Sequence, residues 1–243
     1  MASEHENIGK ELEPLDPYLS KRKQKRRHRI RKLITRPVIS TVVRPTVMGS
    51  ENVEGLDGAF LVIPNHQSHL DAPMVFSLLP DELTERLATG AAADYFYRRR
   101  FISTLTSLFF NSYPIERKGK KGKAAGMTGR LLDAGVPILV FPEGTRSRDG
   151  NALAIHSGVP IVPVAMNGGH EAMPVGAAFP HIGSPVFLYI GEPMWAMEGE
   201  TPDDFMSRVV RAIECMLEQA TAHPVLADGT SPFAAPDSSG NEA

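Results

Sequence analysis

Residues 59–71 read AFLVIPNHQSHLD, an apolar run that breaks at Pro64 into a loop carrying two histidines and an aspartate. The run is short and rich in branched aliphatic residues, which reads as a buried strand. Ser68 and Asp71 then form the S-x-x-D pattern that opens a helix, with Ser68 as N-cap and Asp71 in the first turn. Strand, loop and helix in that order are the unit of a layered α/β fold, whose functional side chains gather in loops at strand ends.

Runs of the same kind at 86–92, 137–141, 159–166 and 186–190 predict further buried strands, with helical stretches between them. The clearest helix is the last. Thr201 caps it, Pro202 takes the first turn, two acids follow, and Phe205, Met206, Val209, Val210, Ile213, Met216 and Leu217 share one stripe. The expected fold is α/β, a mixed, mainly parallel sheet flanked by helices in a single domain. Along the chain we read a polar disordered leader (1–20), a basic arm with an interfacial segment (21–45), a folded domain (46–221) and a disordered tail (222–243) rich in Pro, Gly and Ser.

With 243 residues, 42% apolar and 22% charged, the chain can build a core without staples. Its one cysteine, Cys215, excludes a disulfide framework or a multi-thiolate zinc site and is expected in the core. The net charge of −2 conceals an asymmetry: KRKQKRRHRIRK (21–32) holds nine Lys/Arg, leaving 17 bases against 28 acids elsewhere. Residues 30–45 mix Leu, Ile and Val with Arg and Lys, a composition suited to a membrane interface, interrupted by Pro37. The leader lacks the pattern of a signal peptide, and no stretch of about 18 uncharged apolar residues is present. The stretch at 101–115 is uncharged but short and rich in Ser and Thr, suiting a monotopic contact at most. A cytoplasmic protein, peripheral on the inner face of the membrane, is the expectation.

His66, His69 and Asp71 are competent metal ligands, but their spacing is unfavourable. A single helix needs His at i and i+4, and the H-x-H-x-D-H pattern needs His two apart with another after Asp, where Ala72 stands instead. A second reading makes His66 a base. In one continuous helix His66 and Asp71 would point about 140° apart, so a loop-to-helix bend is needed to bring the carboxylate back onto the imidazole and fix its tautomer. In a third, Asp71 only caps and His66 is solvated. Spacing alone leaves the last two open.

VPILVFPEGTRSRDG (136–150) reads as a strand breaking into a loop where Gly144, Thr145, Arg146 and Arg148 can cradle a phosphate. The plainer reading is an Arg146–Glu143 surface pair worth little. YPIERKGKKGK (113–123) places Arg117 at a strand end ahead of a lysine run.

Together these stretches resemble one family, the glycerolipid acyltransferases that include the 1-acylglycerol-3-phosphate (lysophosphatidic acid) acyltransferases. The N-H-x-S-x-x-D signature is matched by Asn65, His66, Ser68 and Asp71, and P-I-[DE]-R by Pro114 to Arg117. F-P-E-G-T-R-S is matched by Phe141 to Ser147, and V-P-I-V-P-V by Val159 to Val164. The resemblance implies a glycerolipid acyltransferase-like fold in which His66 is the general base and Asp71 supports it. It implies that Arg117, Glu143, Gly144, Thr145 and Arg146 hold glycerol phosphate, with Asn65 and Ser68 as motif support. The implied reaction moves a fatty acyl chain from acyl-CoA or acyl-ACP to a lysophospholipid acceptor, 1-acylglycerol 3-phosphate, giving phosphatidic acid without metal or cofactor.

One feature departs from the family. Its members carry a Phe-Lys-x-Gly stretch opening a helix after the third motif, whereas here ten residues (148–157) separate Ser147 from Gly158 and no such stretch occurs. Reduced activity or stability is the expectation. The alternatives are a catalytically impaired lipid-binding module, an acyltransferase with another acceptor, and a metal-dependent hydrolase. The arm at 21–32 is expected to bind an anionic membrane surface. Nucleic acid is not an expected partner, because no aromatic residue interleaves the charges and the remainder of the chain is acidic.

Overall fold

The computed structural model describes residues 14–68, 70–92, 109–115, 123–141, 157–174, 176–177 and 179–222. Within them one sheet is built from β1 (Val43–Met48), β2 (Leu61–Pro64), β3 (Ala88–Ala92), β4 (Ser112–Ile115), β5 (Ile138–Leu139), β6 (Ile161–Asn167) and β7 (Ser184–Ile190). The order is β1-β7-β6-β2-β5-β3-β4, parallel throughout except between β6 and β7. This is the mixed, mainly parallel sheet expected.

Alternation along the strands divides the core in two. Phe60, Val62, Leu139, Val162 and Leu188 pack on one face with Met74, Val75 and Leu78 of helix α4 (Asp71–Leu78). Leu61, Ile63, Ile138, Ile161 and Tyr189 pack on the other with α6 (Lys123–Asp133) and α8 (Pro202–Ala222), whose inward residues include Leu131, Phe205, Val209 and Ile213. Burial on both faces explains the nearly unbroken apolar runs. In α8 the cap is as read: Thr201 Oγ1 accepts from Asp204 N–H at 3.2 Å and donates to Asp204 Oδ2 at 2.6 Å.

Several local readings need correction. Pro37 does not interrupt the chain, which stays helical from α2 (Lys21–Ile30) through a wider turn (Arg31–Thr35) into α3 (Arg36–Val42). Proline lacks an N–H and its ring crowds the preceding turn, and the turn ahead of it is a π turn in which Arg36 N–H reaches back to Arg31 O. Arg27 and Arg31 of the basic stretch are buried, at 6% and 4% exposure. Cys215 is exposed, because it lies two residues beyond buried Ile213 and so on the other side of α8. Strand β1 begins within the segment read as interfacial; it is an edge strand, where Pro45 costs no ladder bond on its open side.

Candidate active site

β2 is central, and its carboxyl end delivers the loop read as functional. Asn65 side-chain groups carry the pairing with β6 one step beyond the backbone ladder. Its Oδ1 accepts from Met166 N–H at 2.6 Å and its amide donates to Met166 O at 2.9 Å, while Asn65 N–H donates to Val164 O. The loop therefore leaves the sheet at a fixed angle.

The bend then brings His66 and Asp71 together. His66 Nδ1 stands 2.7 Å from Asp71 Oδ2. The same oxygen accepts from Gln67 N–H at 2.6 Å and Ser68 N–H at 2.9 Å, and Oδ1 accepts from Ser68 Oγ at 3.0 Å. Asp71 is fully buried, whereas the His66 side chain is 43% exposed. A carboxylate accepts only, so this bond keeps the proton on Nδ1 and leaves Nε2 as the basic ring nitrogen. Asp71 also lies in the first turn of α4, where negative charge is favoured.

Ser68 acts slightly differently from the capping pattern read in the sequence. α4 begins at Asp71 with Leu70 in the cap position, and Ser68 Oγ accepts from Leu70 N–H at 3.1 Å. The serine closes the turn ahead of the helix because its hydroxyl proton is committed to Asp71. Of the four donors that meet Asp71, three fall on Oδ2 and one on Oδ1, so the carboxylate holds the histidine and the turn together. Among the described residues no three metal-binding side chains are grouped, and His69 lies outside them.

Two contacts were not read from the sequence. Phe141, just past β5, sets its ring 4.7 Å from that of His66 at 46°, so the third motif starts against the histidine. Gly169 opens the short helix α7 (Gly169–Ala172), and a Cβ there would stand 3.1 Å from Asp71 Oδ1 and 3.5 Å from Gln67 Oε1. The absence of a side chain makes room for the carboxylate. The only sequence signal was Gly168 and Gly169 in tandem after a strand, a common loop feature. Arg117, Glu143, Gly144, Thr145 and Arg146 lie outside the described residues, as do 148–156.

A buried carboxylate holding a half-exposed histidine at the carboxyl ends of parallel strands is the equipment of an enzyme that takes a proton from a substrate group. The chain belongs to the family described as Acyltransferase, whose family model matches residues 44–175. It is 26% identical over 166 residues to a chloroplastic 1-acyl-sn-glycerol-3-phosphate acyltransferase of Brassica napus, covering 64% of this chain and 46% of that protein. Over 126 residues it is 31% identical to the alpha 1-acyl-sn-glycerol-3-phosphate acyltransferase of Mus musculus, covering 44% of this chain and 40% of that one. The chain spans about half the length of the curated relatives it matches. The crystal structure of the 1-acyl-sn-glycerophosphate (LPA) acyltransferase PlsC from Thermotoga maritima superposes with a TM-score of 0.60 at 26% identity, covering 84% of this chain and 80% of that chain.

Proposed function

We propose that this protein moves a fatty acyl chain from acyl-CoA or acyl-ACP to the free hydroxyl of 1-acylglycerol 3-phosphate, forming phosphatidic acid for phospholipid biosynthesis. The observation that carries the reading is the 2.7 Å pairing of His66 with buried Asp71. His66 Nε2 takes the hydroxyl proton as the oxygen attacks the thioester carbonyl. The tetrahedral intermediate collapses, the carbon–sulfur bond breaks, and the imidazolium returns its proton to the departing thiolate. Asp71 holds the ring and stabilises its cationic form. General base catalysis of this kind contributes roughly 10²–10⁴ in rate.

Arg117, Glu143, Gly144, Thr145 and Arg146 are proposed to hold the glycerol phosphate. Their support is the match to the family motifs and the position of Phe141 against His66, two residues before Glu143 in the chain. We further propose that the protein works peripherally on an anionic, cytoplasmic membrane face. Among the described residues no helix is long and apolar enough to cross a membrane. Leu33, Ile34 and Val38 are exposed at 73%, 52% and 54%, next to the outward-facing lysines and arginines of 21–32. An apolar patch beside basic residues suits such a surface.

The deciding experiment is thiol release from acyl-CoA and from acyl-ACP with lysophosphatidic acid, in the native protein and in His66→Ala. Acceptor-dependent release lost in the variant supports the reading. Release from neither donor, by protein that still binds anionic vesicles, would replace it with an impaired lipid-binding module.

A further inference from the structure

The basic stretch at 21–32 has an inner face. Gln24, Arg27 and Arg31 are buried at a spacing of three and four, while most of its other basic residues are exposed. Gln24 Nε2 donates to Tyr18 O at 3.1 Å, binding α1 (Asp16–Leu19) to α2. Each arginine is only partly satisfied. Arg27 Nη1 donates to Pro17 O and Arg31 Nη2 to Glu85 O, both at 3.3 Å. Arg27 Nε and Nη2 and Arg31 Nη1 are buried without a hydrogen-bond partner among the described residues.

No carboxylate among the described residues forms an ion pair with either guanidinium. The carboxylates of Asp81 and Glu85 act on Arg31 only through their fields, and that of Asp81 is turned to His28, 3.6 Å from its Nδ1. Burial, then the charge of Arg27, pulls Arg31 down to about 10, so it stays cationic at neutral pH. Two cations one turn apart and out of water call for negative charge between them.

The chemistry of that charge follows from the unused donors. Nε and Nη2 form the side-on edge of a guanidinium, which meets two oxygens of one oxyanion. A carboxylate would be satisfied by this edge alone. A third donor nitrogen on a second cation suits a tetrahedral anion with another oxygen and a second charge.

We propose that Arg27 and Arg31 form a binding site for a phosphate monoester or inorganic phosphate, distinct from the catalytic site. Arg31 lies over the ring of Phe76, 5.9 Å from its centroid, near the carboxyl end of α4, and reaches Glu85 just beyond α5 (Asp81–Thr84). His66 and Asp71 meet at the other end of α4. An occupant would tie the basic helix to the α4–α5 corner. It can come from solution or from the headgroup of phosphatidic acid, since both present the same group.

The test uses the full chain and reads binding, so its outcome is separate from that of the thiol-release assay. In the first arm Tm is followed against inorganic phosphate, with chloride at matched ionic strength as control. In the second, vesicles of phosphatidylcholine doped with phosphatidic acid are compared with vesicles doped to equal charge with phosphatidylserine. A saturable, phosphate-specific rise in Tm identifies a soluble occupant, and preference for phosphatidic acid identifies the headgroup. Either effect is to be lost in Arg27→Gln and Arg31→Gln, and weakened by roughly tenfold in Arg27→Lys, which keeps the charge but not the edge. A native protein showing neither effect overturns the proposal, whether or not the glutamine variants fold. So does an effect that persists in both variants, because the phosphate would then be held elsewhere, such as in the catalytic loops.

Discussion

Gly169 lies against the carboxylate of Asp71, close enough that a Cβ would sit 3.1 Å from Oδ1. Its φ is not among the left-handed values, so alanine there meets crowding rather than backbone strain, and at a helix start it regains some propensity. Gly169→Ala is expected to shift the carboxylate by a few tenths of an ångström. We expect kcat to fall roughly tenfold with KM and Tm little changed, since catalytic geometry tolerates less displacement than folding does. Gly168→Ala is the contrast. With φ +87 and a Cβ 2.3 Å from Pro185 O, it is expected to lose about 2 kcal/mol or more of stability, visible in urea melts. Equal behaviour of the two alanines would contradict this.

Asp71→Asn separates the two services of the carboxylate. The amide oxygen can still accept from His66, Gln67 and Ser68 while its NH2 faces Ser68 Oγ, which has a lone pair to accept it. The tautomer survives and the negative charge does not. We expect a fold intact to within about 1 kcal/mol and turnover lower by roughly 10²-fold. Asp71→Ala would also strand the Gln67 and Ser68 N–H groups and melt lower. Full activity in the asparagine variant would remove charge stabilisation from the mechanism.

Asn65→Ala removes both bonds to Met166 and leaves its N–H and C=O without those partners. A loss of about 1–3 kcal/mol follows, together with slower turnover because the loop's exit angle is released. A calorimetric scan that superposes on the native one would show that the two bonds contribute no stability.

The couple at the centre of the site was legible because its cause is local. An apolar run ending at Pro64 and an S-x-x-D pattern offer a fold of Asp71 towards His66 as one of the two readings that spacing leaves open, and the bend that selects it lies within five residues. The parts that position it come from far along the chain. Met166 and Gly169 lie about a hundred residues on and join only because β6 pairs with β2, a pairing that no periodicity records. The reversal of β7 was hidden for the same reason. β1 was missed because Arg44 and Pro45 look unlike a buried strand, and an edge strand need not look like one. Pro163 posed the opposite difficulty, a proline in a central strand. It stands one residue before the paired stretch of β6 and β7, which starts at Val164 with Ile190, and its carbonyl still accepts from Gly191 N–H at 2.9 Å.

The outer face of the amino-terminal helices gives a prediction that separates charge from apolar contact. Lys21, Arg22, Lys25 and Arg26 are exposed, and each basic residue near an anionic surface contributes about 1 kcal/mol, an attraction that fades beyond a Debye length of ~10 Å at 0.1 M salt. Leu33 and Ile34 are apolar and exposed, and what they contribute, about 25 cal/mol per Å² removed from water, does not weaken with salt. Replacing the four bases with glutamine should therefore weaken binding to anionic vesicles strongly at low ionic strength and little in 0.5 M salt. Leu33→Ser with Ile34→Ser should weaken it at both, and should also weaken binding to neutral vesicles. Co-sedimentation across a salt series reads the difference directly. If the serine pair binds like the native protein at every salt concentration, the apolar face does not enter the membrane and the attachment is electrostatic alone.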